Sequence, residues 1–347
     1  MDQPSTEHSS ANGQQHHGEY KVPGGKLVVA DLTTADGRIT EAKISGDFFL
    51  DPEDAFDALA PALVGASATE GPEALVQRLD AALAPFGEDL DLQGFTLEDV
   101  VTVVRRALAG ARDFADYSWE VVHTPVLPTR LNVALDQLLL AEVDAGRRGP
   151  TLRIWEWDDR AVVIGAFQSY VNELHPEGVE EHGVEVVRRV TGGGAMFMEG
   201  GNCITYSLYA PREIVAGLDY TESYAYLDRW VIDALAQHGV NAWYVPINDI
   251  TSSKGKIGGA AQKRTKNAVI HHATMSYDID ADTMTDVLRI GKAKISDKGI
   301  ASAKKRVDPV RSQTGASREE VIRTMIDTFI ARYGARRAEL TAEEMDG

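Results

Sequence analysis

The sequence predicts an α/β chain in two parts: a mixed-sheet domain over residues 118–335, preceded by a small α+β module over residues 20–112. Three observations carry this. At 347 residues the chain exceeds one typical domain of roughly 150. From residue 118 onward, β-branched runs alternate with helical stretches, and hairpin signals between neighbouring strands point to a mixed sheet, not a doubly wound parallel one. Before residue 112, two strand-like runs precede three helical stretches.

The hydrophobic share of 44% and charged share of 25% belong to an ordinary globular protein able to bury sizeable cores. No apolar run approaches the ~18 residues that span a bilayer, and the N-terminus has no basic-then-apolar leader, so a cytoplasmic protein is expected. The single cysteine, Cys203, excludes an intramolecular disulfide and fits a reducing compartment. The net charge of −18 is uneven: residues 1–117 hold 8 Lys and Arg against 21 Asp and Glu, whereas residues 254–311 hold 13 against 6. Overall acidity argues against a nucleic-acid partner. The basic island suits a phosphate-bearing substrate or an acidic partner protein, although a charge run is more often a solvated face.

Taken in order, residues 1–19 are polar and without period, and are expected to be a disordered tail. KLVVADL and RITEAKISG read as two strands joined through Asp36-Gly37, a strong hairpin signal. Asp51-Pro52 reads as an N-cap with proline in the first turn of a helix carrying Phe56, Leu59 and Leu63. Glu73 to Leu83 is a second helix. Thr96 and Asp99 open a third, with Val100, Val103, Val104 and Leu108 on one face. A linker is expected near Ala109–Tyr117. The acids of this module fall on helix faces and caps, and nothing in it looks catalytic.

The second part opens with a strand over Ser118–His123. A helix capped by Thr129 follows, with Leu131, Leu135, Leu138 and Leu139 as its apolar stripe. TLRIWEW and AVVIGAF are strands of a central sheet, and Trp155, Trp157 and Phe167 read first as core, though they would also line a tunnel for an apolar chain. TESYAYLDRWVIDALAQHGV reads as one amphipathic helix before the strand NAWYV. A helix capped by Ser317 and Glu320 closes the domain, leaving 336–347 as a tail.

The chemistry gathers around VVRRVTGGGAMFMEGGN, from Val186 to Asn202. Three consecutive glycines reach positive φ and approach a ligand closely. Their N–H groups can converge on an anion, and Arg188 or Arg189 can supply the fork that matches phosphate or carboxylate. Alone, such a run is more often a tight hairpin. Further on, Asn248-Asp249 ends a short strand, Lys256 precedes what reads as a small-residue turn, Gly258-Gly259-Ala260-Ala261, and His271-His272 lie in the strand that follows. Arginine pair, triple glycine, aspartate and lysine together suit a nucleotide phosphate held beside an acyl carboxylate.

These motifs resemble the lipoate–protein ligases, within the biotin/lipoyl protein ligase superfamily. RRVTGGGA is similar to that family's glycine loop, Asn248-Asp249 to its Asn-Asp pair, KIGGAAQ to its lysine motif, and the likeness continues through HHATM and KGIASAKKRV (Lys298 to Val307) to Tyr333-Gly334. The resemblance implies a biotin/lipoyl protein ligase-like catalytic domain that uses ATP to turn lipoate or octanoate into acyl-AMP, then passes the acyl group to a lysine. It implies Lys256 as the catalytic residue, with Lys254 as its rival. Contacts to ATP and the acid would come from Arg189, Thr191, Gly192, Gly193, Gly194, Ala195, Asn202, Asn248, Asp249, Gly258, Ala260 and His272, with Arg188 structural. Asp249 would meet Mg²⁺ or the ribose. A buried structural role for His272 is equally open.

Residues 20–112 resemble the accessory domain of the same family, here placed before the catalytic domain instead of after it, and that likeness implies help with adenylation. One departure stands out: family members commonly carry His-Asp where this chain has Met198-Glu199, and Glu199 alone can supply a carboxylate. The implied acceptors are lipoyl domains of 2-oxoacid dehydrogenase acyltransferase subunits or the glycine-cleavage H protein, met by a monomer. A lipoyl or octanoyl transferase without ATP needs a cysteine nucleophile after the lysine motif, and Cys203 precedes it. A biotin ligase carries a different glycine loop. A non-catalytic lipoate-binding protein has no need of Lys256 and Arg189.

Overall fold

The computed structural model describes residues 13–289 and 308–346. It divides into two compact units, Met1–Asp113 with Val215–Asp219, and Phe114–Ile214 with Tyr220–Gly347. The division falls inside the stretch expected as a linker. No helix among the described residues is long and apolar enough to cross a membrane.

The first unit is built on an antiparallel sheet of β1 (Gln14–Lys21), β2 (Leu27–Ala35) and β3 (Arg38–Gly46), in that order. Strand period fixes its inner face: Val28, Ala30, Leu32 and Thr34 of β2 are buried, and the residues between them are not. Helix α3 (Leu97–Leu108) begins at the Thr96–Asp99 capping box and buries Val100, Val101, Val103, Val104 and Ala107. It crosses β1 at Gly18, where a Cβ would stand 2.7 Å from the Ala107 nitrogen, so a side chain there would push the helix off the sheet. Helices α1 (Phe56–Leu63) and α2 (Pro72–Leu83) pack on each other, and β4 (Phe49–Asp51) pairs with β5 (Asp91–Gln93).

Two expectations are corrected here. The tail of residues 1–19 is not wholly disordered: Gln14–Glu19 pair with β2 from Gln14 opposite Thr34 onward, while residues 1–12 lie outside the described residues. An edge strand needs ladder bonds more than apolar alternation, and only Gly18 and Tyr20 of this one are buried. Asp51 does not cap a helix. It pairs with Asp91 in the β4–β5 ribbon, and Pro52 precedes a short 3₁₀ turn instead.

The second unit holds two sheets. The larger has eight strands: β12 (Ala242–Val245), β13 (Asp249–Ser252), β14 (Gly255–Arg264), β15 (Ala268–Ser276), β11 (Cys203–Pro211), β7 (Thr151–Glu156), β6 (Glu120–Val126) and β16 (Arg336–Ala338), in that order. Its pairs are antiparallel except β6 with β7 and β6 with β16. The smaller sheet runs β10 (Met196–Glu199), β8 (Arg160–Ile164), β9 (Glu185–Arg188), with β8–β9 parallel. The mixed-sheet expectation holds. The supposed tail 336–347 is structured as far as Asp346, since β16 joins β6 and a helix follows over Ala342–Asp346.

Helix α4 (Thr129–Asp144) buries Asn132, Val133, Leu135, Asp136, Leu139, Leu140 and Val143. The buried face is therefore displaced from the leucine stripe, leaving Leu131 43% exposed and taking in three polar side chains, Thr129, Asn132 and Asp136. Thr129 does not cap this helix; its hydroxyl donates to Asp159 at 2.6 Å. The single helix expected over 221–240 is two, α7 (Tyr220–Leu227) and α8 (Arg229–Gln237). Asp228 between them is fully buried and accepts from His271, Tyr206 and Tyr244. A buried carboxylate must be hydrogen-bonded, and these donors hold it at the break.

Candidate active site

Between the two sheets of the second unit lies a cleft of about 370 Å³. Its apolar wall is Trp155 of β7, Val163 of β8, and Met196 and Met198 of β10, continuous with a core that contains Val133, Trp157 and Cys203. Its polar rim is Asn248, Asp249 and Lys256, and Gly194 and Ala195 border it from the glycine loop. A cleft of this size, with an apolar wall facing convergent polar groups, is what a small ligand with one charged end requires.

Strand pairing assembles the rim. β13 and β14 are neighbours, with Asp249 opposite Gly259 and Thr251 opposite Lys256. The Lys256 Nζ donates to Asp249 Oδ1 at 2.7 Å, and both side chains are about one-third exposed, at 38% and 35%. An exposed pair of this kind contributes little to stability, so its stake is in what meets it from the cleft. Asn248 donates to the Ala260 carbonyl at 2.6 Å while the Ala260 N–H donates back to Asn248 at 2.9 Å, which fixes the turn that carries Asp249. Gly259 leaves room for the pair: a Cβ there would lie 3.3 Å from Lys256 Nζ. Gly259→Ala is therefore expected to displace the ammonium and slow the reaction proposed below by about tenfold, since small misplacements at reacting groups are costly. An unchanged rate would show that the position of the ammonium does not matter.

The glycine loop is held from behind by Arg189. This guanidinium is buried, and burial lowers it to about 10, so it stays charged near neutrality. Its Nε donates to Thr191 Oγ1 at 2.9 Å, and its terminal nitrogens donate to the carbonyls of Val163, Gly192 and Gly194 at 3.0, 2.8 and 2.9 Å. The expected phosphate fork is thus mostly committed to backbone. Arg188 does the same for the preceding turn, reaching the carbonyls of Gly165 and Gln168 at 2.9 and 2.7 Å. The two backbones touch, since a Cβ on Gly165 would stand 2.2 Å from the Gly193 carbonyl oxygen.

Of the residues implied by resemblance, Lys256, Arg189, Gly194, Ala195, Asn248, Asp249, Ala260 and His272 do meet at the cleft. Thr191 lies fully buried behind the loop, and Gly192 and Gly193, like it, are not among the residues that line the cleft. Lys254 does not line the cleft, leaving Lys256 as its lysine among the described residues. Three expectations are corrected. Asn202 sits in the β10–β11 turn, where its carbonyl accepts from Tyr277 and Asp278, away from the cleft. Gly258 is packed against β15, with a Cβ position 2.7 Å from the Thr274 carbonyl, and does not line the cleft. Glu199 does not supply a carboxylate there, because its buried side chain pairs with Arg160 at 3.0 Å and accepts from the Asp280 N–H at 2.9 Å. Met198 simply continues the apolar wall. Phe167, read as core, is 93% exposed. The family-like segment Lys298–Val307, with the basic Lys304, Lys305 and Arg306, lies outside the described residues.

The structure adds residues that motif reading passed over. His272 Nδ1 lies 2.7 Å from Asp136 Oδ2 and its Nε2 lies 2.8 Å from Thr191 Oγ1. Asp136 Oδ1 also accepts from Arg153, Ser207 and Tyr209. The fully buried Arg153 lies 4.9 Å from the Trp155 ring, whose Nε1 donates to Ser207. The signal was present as charge in the wrong company: Arg153 between Leu152 and Ile154, and Asp136 among leucines. Neighbouring His271 faces the other side of the sheet and pairs with Asp228 at 2.6 Å.

Among the described residues, Asp249 is the one carboxylate on the cleft wall. Magnesium commonly takes one or two carboxylates plus nucleotide phosphates, so this donor set fits an ion carried in on a nucleotide. Among the described residues no group of three His, Cys, Asp or Glu side chains gathers to hold a resident metal. Cys203 is fully buried, and burial pushes its thiol up to about 12. The folded protein is therefore expected to resist a disulfide thiol reagent at pH 8 and to react only when unfolded; fast reaction of the native state would reopen a thioester route.

A mixed sheet that meets a braced glycine loop across an apolar cleft with a lysine–aspartate rim defines the biotin/lipoyl ligase-like class of domain. The chain belongs to the lipoyl protein ligase A/B catalytic domain family, whose family model matches residues 128–330. It is 26% identical over 218 residues to lipoate–protein ligase 1 of Staphylococcus aureus, a match covering 62% of this chain and 64% of that protein. It is also 26% identical over 261 residues to the octanoyltransferase LipM of Kyrpidia tusciae, covering 66% of this chain and 93% of that one. The matched stretch thus spans less than two thirds of the Staphylococcus ligase. Among solved structures, the bi-partite lipoate protein ligase of Thermoplasma acidophilum, described with its E2 lipoyl domain, superposes with a TM-score of 0.58 at 28% identity, covering 66% of this chain and 89% of that one. A lipoate-protein ligase A bound with ATP superposes at 0.56 and 26% identity, covering 66% and 91%.

Proposed function

We propose that the chain is an ATP-dependent lipoate–protein ligase. The observation that carries this reading is the Lys256–Asp249 pair at the rim of a cleft whose far wall is apolar, in a chain whose only thiol is buried. Lipoate or octanoate would lay its carbon chain against Trp155, Val163, Met196 and Met198, and turn its carboxylate to the rim. A carboxylate oxygen attacks the α-phosphorus of ATP, the bond to the β-phosphate oxygen breaks, and pyrophosphate leaves. The product is acyl-AMP. Two anions must meet in this step, so a fixed ammonium that touches both acyl and phosphate oxygens lowers the barrier electrostatically. Lys256 has that place, and Asp249 aims it. Bound magnesium would offset phosphate charge beside Asp249.

In the second step a lysine amine of the acceptor attacks the acyl carbon, AMP leaves, and an amide remains. Acceptors are lipoyl domains, of 2-oxoacid dehydrogenase acyltransferase subunits or of the glycine-cleavage H protein, and the enzyme works as a cytoplasmic monomer. Residues 20–112 act as the accessory domain of adenylation. The likeness to an octanoyltransferase favours a second reading, transfer from an acyl carrier protein without ATP. The test is direct: incubate the full chain with a lipoyl domain and either lipoate plus Mg·ATP or octanoyl-carrier protein alone. Pyrophosphate release with acylation of the domain only in the first mixture is expected. Acylation in the second mixture would establish the transferase instead.

A further inference from the structure

His272 lines the cleft, yet both its ring nitrogens are already engaged by the protein. We infer that Asp136, His272 and Thr191 are positioning residues, a buried relay that sets the glycine loop through Arg189 so that two loop amides face the incoming anion. The inference rests on the ligase reading for the identity of that anion.

The direction of each hydrogen bond follows from chemistry. Ionised Asp136 can only accept, so His272 Nδ1 carries the proton and Nε2 is an acceptor. Thr191 therefore donates its hydroxyl proton to Nε2 and uses an oxygen lone pair to accept from Arg189 Nε at 2.9 Å. Each donor in the row meets an acceptor, and the guanidinium plane is fixed by its Nε. In that plane the terminal nitrogens draw the carbonyls of Gly192 and Gly194 toward Arg189. In a trans peptide the C=O and the following N–H point in opposite directions. The Gly193 and Ala195 amides therefore point away from Arg189, and among the described residues neither has a hydrogen-bond partner within the protein. Gly193 adopts φ +99°, which lets alternate peptides share this orientation. The Ala195 N–H, at the cleft wall, and the Gly193 N–H two residues before it make a receptor for the carboxylate or the adenylate oxygens.

Burial favours the neutral imidazole, in keeping with Nε2 as an acceptor. The network has no polar slack. A second proton on His272 would turn Nε2 into a donor and leave the Thr191 hydroxyl proton in search of another acceptor.

The experiment has two arms, both on the full chain. Nitrogen-15 imidazole NMR at pH 7, with His271→Gln and His272→Gln variants for assignment, is expected to show His272 as the neutral Nδ1–H tautomer. A charged ring or the Nε2–H tautomer would overturn the relay, whatever the activity. In the second arm, Thr191→Val, which removes the hydroxyl at constant size, is expected to lower kcat for acyl-AMP formation about 30-fold with the KM for ATP unchanged. Thr191→Ser, which restores the hydroxyl, is expected to stay within about threefold of the parent. Equal rates for the valine and serine variants would overturn the inference. If the parent chain makes no acyl-AMP from lipoate, the ligase reading fails while the tautomer result still decides the relay.

Discussion

Lys256→Ala is expected to slow acyl-AMP formation by about 10²–10³-fold, the loss typical of removing one preorganised donor from a charge-developing site. The drop should appear in kcat, measured by pyrophosphate release or by trapping the adenylate. Folding should be unaffected, because the ammonium is one-third exposed and its partner Asp249 is equally wet. Lys256→Arg should not rescue the rate. The guanidinium is larger and planar, and Gly259 leaves space for a compact group only 3.3 Å from where its own Cβ would be. An undiminished rate in Lys256→Ala would remove the mechanism proposed for this site.

The second large effect is on stability. Asp136→Ala is expected to destabilise the chain by about 3–5 kcal/mol, measured by urea denaturation, because it strands the guanidinium of fully buried Arg153 without a counter-charge. It also takes the partner from His272 and an acceptor from Ser207 and Tyr209. The double variant Asp136→Ala with Arg153→Leu should cost less than the sum of the two single changes, since each side chain is expensive chiefly when the other is left behind. Additivity within about 0.5 kcal/mol would show that the pair is not coupled.

These two effects separate what the sequence disclosed from what it concealed. Lys256, Asn248-Asp249 and the glycine loop were legible because small residues and a lone charge interrupt β-branched runs, and the backbone there can do little else. Asp136 was hidden because a helix reading follows leucines, and the true buried face includes Asn132 and Asp136 beside them. The break at Asp228 was hidden for the same reason: α7 and α8 are both amphipathic, and only partners from distant strands reveal that the aspartate between them is held inside. Arg189 was read from its charge as a ligand for phosphate, yet tertiary packing turns most of its donors to backbone carbonyls of β8 and the glycine loop. Beyond the domain core, β1 and β16 escaped notice because these two edge strands carry few apolar residues.

The adjacent histidines of β15 bear on what evolution or an engineer can do to this sheet. Alternation sends His271 toward Asp228 and His272 toward Asp136, so the strand is keyed on both faces at one point. Sliding it by a single place would put one imidazole in the other's slot and set an apolar neighbour, Ile270 or Ala273, against one of the two interior carboxylates. Insertions in the tight connection from Arg264 to Ala268 must therefore bulge outward as extra loop, and a deletion that tugs on the strand has nowhere to be absorbed.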